Sequence, residues 1–275
     1  MTINSRLNRM SRTRSTLMVT LVAGLLAFLV VPILLAATTS FTSDEIIGFP
    51  PTGFSLQWYD KFVQDPKWRT ATTNTIVIGI MSAILATVVG TFAAIGLQRI
   101  ANKLLRDVVF GIFLMPLVVP FMVLAMALYP IFAQFGLLNS QLGVALAQGI
   151  VSVPYVLISV TSAMRRRDSD LVSACRTLGA GPWQALLHVR LRLLLPGIVG
   201  GAVLAFMTTF DDVIMPLFMG GSNVSTLPRV MVDSLYNLSD PTVMAVSATI
   251  SGVALLLVIV WIAAGRSQAT TTQFK

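Results

Sequence analysis

The sequence predicts an all-α protein, a polytopic membrane helix bundle with about six transmembrane helices. Three observations carry this. Of 275 residues, 55% are hydrophobic and only 11% charged, whereas a soluble domain holds about 25% charge. Several uncharged apolar runs approach the ~20 residues needed to cross a bilayer. The runs are continuous, so they lack the short alternating segments of a membrane β-barrel.

The elements follow in order. The first apolar run covers 17–37, "LMVTLVAGLLAFLVVPILLAA". Arg6, Arg9, Arg12 and Arg14 precede it and "AATTS" follows, as in a signal peptide. Its apolar length exceeds the usual signal core of about 7–15 residues, which favours an uncleaved first helix. Further spans are read at 71–97, 108–129, 142–163, 196–218 and 241–264. Pro32, Pro116, Pro120, Pro154 and Pro216 fall within or near span ends, where neighbouring helices can satisfy freed backbone groups. The domain reading is an N-terminal cytoplasmic tail (1–16), a transmembrane domain (17–264) and a C-terminal cytoplasmic tail (265–275).

Basic residues set the orientation. With the N-terminus inside, only Lys61, Lys67, Arg69 and Arg229 of the 19 Lys and Arg residues lie outside. This asymmetry places both ends in the cytoplasm. It also accounts for the net charge of +8, so no nucleic-acid partner is needed. The outer segments are 38–70 and 219–240. In the first, Trp58, Tyr59 and Trp68 suit a membrane–water interface. The lone cysteine, Cys175, excludes an intramolecular disulfide.

The longest inside loop, 164–195, poses the functional question. Ser169 or Asp170 can cap a helix. Leu171, Ala174 and Leu178 then form an apolar stripe at helical spacing. Gly179 stands where a helix commonly stops in the left-handed conformation. Pro182 is placed to open a second helix, which runs through the arginines toward "LLLPG". The first helix is too short to be stable alone in water. Its stripe therefore needs a surface: its own bundle, lipid headgroups, or another protein.

These residues resemble the cytoplasmic loop of the permease subunits of type I ABC importers. That motif reads Glu-Ala-Ala, three residues, Gly, nine residues, Ile, one residue, Leu-Pro. Ser173, Ala174 and Cys175 fall at Glu-Ala-Ala, Gly179 at the glycine, Val189 at the isoleucine, Leu191 at the leucine and Arg192 at the proline. Ser173, Cys175 and Arg192 depart from it, and Pro196 lies four residues further on. "FSLQWY", "PLVVPFMVLAMALY", "FDDVIMPLF" and "TLPRVMVDSL" are similar to the spermidine/putrescine-type branch, and the likeness extends over roughly 17–264.

The resemblance implies an ATPase-coupling loop of Leu171, Ser173, Ala174, Cys175, Leu178, Gly179, Pro182, Val189 and Leu191. It implies a bacterial inner-membrane assembly with two ATPase subunits, a second permease subunit and an extracytoplasmic solute-binding protein, in contact with membrane lipid. The cargo it favours is a polyamine; aminophosphonates and other small solutes are the alternatives. ATP and magnesium would bind the partner ATPase, and this chain would bind no cofactor. In agreement, the chain has no phosphate-binding Gly-Lys-Ser/Thr loop, zinc helix or serine elbow. His188 has no second metal ligand nearby. The chain is therefore not read as an enzyme. A secondary transporter or channel is the competing class, although the paired repeats common there are not evident.

Asp211 and Asp212, with Phe210, are the candidate substrate-path residues. They lie roughly 22 Å along a helix from Pro196. Carboxylates in an apolar span are costly and usually face a cavity or a partner. A pair on a translocation path suits a cationic solute. The other reading places them at the interface, or against an arginine of a sister subunit. Met207 and Met215 read as packing, Cys175 as a small packing residue, and Asn74 and Gln148 as donors between helices.

Overall fold

The computed structural model describes residues 3–45, 48–51, 53–164, 179, 181, 184–236 and 240–271; side chains are described from Met18 on, apart from 185–187 and those after Leu256. The elements are α1 (Ile3–Thr39), α2 (Gln57–Gln64), α3 (Pro66–Leu97), α4 (Lys103–Val118), α5 (Phe121–Gln134) and α6 (Gln141–Met164). A π-helical turn at Ala185–Arg190 leads into α7 (Leu191–Phe210), followed by α8 (Ile214–Met219), α9 (Leu227–Tyr236) and α10 (Thr242–Thr271). The all-α membrane bundle expected from composition is the fold found.

Among the described residues four segments are long and apolar enough to cross a bilayer: Met18–Thr39, Pro66–Leu97, Gln141–Met164 and His188–Phe210. The bent pair α4 and α5 supplies another, and α10 carries a further apolar stretch, Thr242–Leu256.

Two spans depart from the sequence reading. The run at 108–129 is two helices meeting at 105°. Pro120 offers no N–H, and a proline drives the preceding residue out of the helical region. Val119 is accordingly extended, at φ −78° and ψ 130°. The run at 196–218 begins earlier, since α7 starts at Leu191 with Pro196 inside it, and it breaks after Phe210. Pro116 and Pro154 stay inside their helices.

The chain forms two compact units. One comprises Met1–Asp65 with Ser234–Lys275, the other Pro66–Asp233. In the first, α10 packs with α1 and with α2. Trp58 is buried and its Nε1 donates to the Thr42 carbonyl at 2.8 Å. Ser40 Oγ and Tyr59 Oη lie 2.7 Å apart, and the Phe41 and Tyr59 rings are 5.3 Å apart. Lys61 pairs with Asp240 at 3.2 Å. Trp58, and Trp68 in the second unit, are buried against the protein's own residues.

The second unit is built on α3, α6 and α7, which pack pairwise. Glycines allow the approach. A Cβ on Gly90 would lie 2.7 Å from the Val156 Cβ, and one on Gly201 would lie 2.9 Å from the Val156 Cα. Val156 is thus held between α3 and α7. Hydrogen bonds between elements fix the register: Ser82 Oγ donates to the Ala145 carbonyl at 3.0 Å. Asn74 Nδ2 donates to the Ser225 carbonyl at 2.9 Å and accepts from Gln141 Nε2 at 2.8 Å.

Candidate functional site

The break in the fifth span is made by local chemistry. α7 ends as the Asp211 N–H bonds back to the Met207 carbonyl at 3.3 Å. Asp212 Oδ1 then accepts the N–H groups of Ile214 and Met215, at 2.8 and 3.3 Å, which are the first two of α8. Its other oxygen accepts from Gln148 Nε2 at 3.1 Å. The same nitrogen lies 3.3 Å from the Thr209 carbonyl. Gln148 is 2% exposed and Asp212 8% exposed, so this is an interior link from α6 to the start of α8. The far end of α8 is held as well. Arg229 Nη1 donates to the carbonyls of Pro216 at 3.2 Å, Val224 at 3.3 Å and Gly221. A carboxylate at the N-terminus and a guanidinium at the C-terminus match the helix dipole at both ends.

The break opens on a cavity of about 550 Å³. α7 contributes Met207 and Thr208, and the junction contributes Asp211, Asp212, Val213 and Ile214. Tyr155 of α6 and Phe121 of α5 complete the wall. Phe121 is the first residue after the Val119–Pro120 break. The break after Phe210 thus brings its non-helical residues Asp211, Asp212 and Val213 to the cavity, where such backbone is tolerated in a membrane protein, and the other broken span brings the first helical residue after its break.

The electrostatics favour a cation. Asp211 is exposed. The C-terminal turn of α7, the negative end of that helix dipole, borders the cavity through Met207 and Thr208. The positive end of α8 is matched by Asp212. Phe121 and Tyr155 place aromatic rings in the wall, and a cation over the face of such a ring gains about 0.5–2 kcal/mol.

The predicted site residues are distributed as follows. Asp211 and Asp212 share the cavity, with different partners. Phe210 stacks on Phe206 with ring centroids 5.8 Å apart, outside the cavity lining. Met215 is fully buried packing. Asn74 and Gln148 bond between elements as expected. Tyr155 and Phe121 were missed, because aromatic residues in apolar spans carry no local mark of a cavity.

Of the predicted loop, Leu171, Ser173, Ala174, Cys175, Leu178 and Pro182 lie outside the described residues. Gly179 has φ +86°, the left-handed conformation read from its position. The Gly181 N–H donates to Gln184 Oε1 at 3.1 Å. Val189 lies in the π-helical turn and Leu191 opens α7. Among the described residues no cluster of His, Cys, Asp or Glu could hold a metal.

Comparison with known proteins adds independent findings. Residues 86–268 match the family described as "Binding-protein-dependent transport system inner membrane component". The chain is 29% identical over 233 residues to the spermidine/putrescine transport system permease protein PotC of Haemophilus influenzae, covering 85% of this chain and 90% of that one. It is 32% identical over 213 residues to the molybdenum transport system permease protein ModB of Mycobacterium bovis, covering 72% of this chain and 80% of that one. A chain of a bacterial ABC transporter involved in the import of the acidic polysaccharide alginate shares the fold, with a TM-score of 0.71. Identity there is 16%, with 94% of this chain and 97% of that chain covered.

Proposed function

The chain belongs to the family of binding-protein-dependent transport system inner membrane components, and from that premise we propose that it forms the path of a small organic cation through an ATP-driven importer. It is a permease subunit of a type I ABC importer for a small solute, an inner-membrane transport component and not an enzyme. The cargo class is a polyamine such as putrescine or spermidine. The observation that carries this is the cavity at the two helix breaks, where the Asp211 carboxylate and the end of α7 meet two aromatic rings. The name of the Haemophilus influenzae relative points the same way.

Energy comes from outside the chain. The loop 168–192 docks on an ATPase subunit, with Leu171, Ala174 and Leu178 as the apolar contact and Gly179 as the turn. Closure of two ATPase subunits around ATP and magnesium moves this loop as a rigid body, which switches the bundle between two access states. A second permease completes the path, and an extracytoplasmic solute-binding protein delivers the cargo. Both termini lie in the cytoplasm, as the basic residues require.

The test is uptake by the complete transporter in proteoliposomes, with ATP supplied on the ATPase side. Labelled putrescine or spermidine accumulates saturably and only with ATP. Accumulation of molybdate or a neutral solute, with no polyamine uptake, would overturn the cargo reading. Cross-linking from Ala174→Cys or Leu178→Cys captures an ATPase subunit. Capture of lipid or this chain alone would overturn the docking reading.

A further inference from the structure

We propose that Gln148 is a positioning residue. By holding Asp212 as the cap of α8, it leaves Asp211 as the carboxylate that meets a cationic solute in the cavity. This rests on the cationic-cargo reading above.

The two adjacent carboxylates are not equivalent. Both oxygens of Asp212 are engaged, by two backbone N–H groups and by Gln148. An ionised carboxylate only accepts, so the principal acceptor directions of Asp212 are committed to its own chain. Asp211 is exposed at the cavity and lends its backbone to end α7. Gln148 sits on α6, the same helix that carries Tyr155. One helix thereby carries both the partner of the cap and an aromatic residue of the cavity wall.

The second observation is an orphan atom. Gln148 Oε1 is buried and finds no hydrogen-bond partner among the described residues. An unmade buried bond is costly, and an apolar side chain would avoid it. The amide there is explained by what its nitrogen does for Asp212. The bond from Gln148 to Asp212 also supplies a specific rescue. Asn at 212 still caps a helix well, and its amide nitrogen can donate toward position 148. Glu at 148 would accept that bond, so Gln148→Glu with Asp212→Asn inverts the pair, at the loss of the bond from the Gln148 amide to the Thr209 carbonyl. Gln148→Glu alone sets two carboxylates against each other.

The experiment uses the complete transporter and two readouts. The first, independent of cargo, is amide hydrogen exchange of the peptide covering 211–219. The second is the half-saturating concentration and maximal rate of labelled putrescine and spermidine uptake. Gln148→Leu speeds exchange about fivefold, the loss expected of a cap. It raises the half-saturating concentration about tenfold, as for loss of a hydrogen bond to a charge, with the maximal rate kept. Gln148→Glu disturbs both readouts, and the inverted pair restores a large part of both, the Thr209 bond staying lost. Unchanged exchange in Gln148→Leu overturns the cap. Faster exchange with an unchanged half-saturating concentration overturns the positioning role. So does failure of the inverted pair to restore uptake once exchange is restored. If the wild type moves no polyamine, the cargo reading fails, while exchange still judges the cap.

Discussion

Asp211 and Asp212 share a side chain and a position in the sequence, yet their surroundings divide their work. The division lies in partners 64 residues away and two residues ahead, which no reading of "FDDVIMP" alone reveals. One consequence is a graded effect. Asp211→Asn removes the charge exposed at the cavity; on the proposed cargo, the half-saturating concentration for putrescine rises tenfold or more, about 1.4 kcal/mol. Asp212→Ala also loses the cap of α8, while Asp212→Asn regains most of that loss; uptake and hydrogen exchange check the order. A second carboxylate outside the spans makes a pH prediction. Burial alone would push the Asp240 carboxyl up, but the bonds it accepts from the Thr242 side chain and backbone and from Lys61 outweigh burial and hold it below its ordinary range. A carboxyl with a lowered folded-state pKa stabilises above its unfolded value, and that contribution is lost as pH falls through the folded value. The melting temperature of the purified chain therefore drops as pH falls below about 4, and Asp240→Asn flattens part of that drop.

At the scale of elements, close packing and local breaks matter more than helix propensity. Val156 between Gly90 and Gly201 leaves no room for a side chain. Gly201→Leu must push α6 and α7 apart, at about 1–3 kcal/mol, and lowers the melting temperature of the purified protein by several degrees. Apolar length made the spans legible, because every crossing must supply its own backbone hydrogen bonds. The breaks were less legible. Pro116, Pro154 and Pro196 remain inside helices, while Pro120 divides one. All of these prolines lack a donor, and tertiary surroundings decide the result. The turn at Gly179 was readable because φ +86° is a conformation that suits glycine. Gly179→Pro cannot adopt it, and uptake is abolished while the chain still inserts at normal levels. Retained uptake at normal expression would contradict the docking role of this turn.

For the whole molecule, composition and apolar length define a membrane component. The ordered segments that resemble importer permeases led to the family that residues 86–268 match. The cavity was only half legible. Its carboxylates stood out because charge in an apolar span is expensive, while Phe121 and Tyr155 looked like any other packing residues. The most direct measurement of the account is ATP-dependent uptake of labelled putrescine by the complete transporter, wild type beside Asp211→Asn. The account predicts saturable accumulation by the wild type and at least about tenfold weaker half-saturation in the variant. Accumulation that needs no ATP, or equal half-saturation in the two proteins, would contradict it.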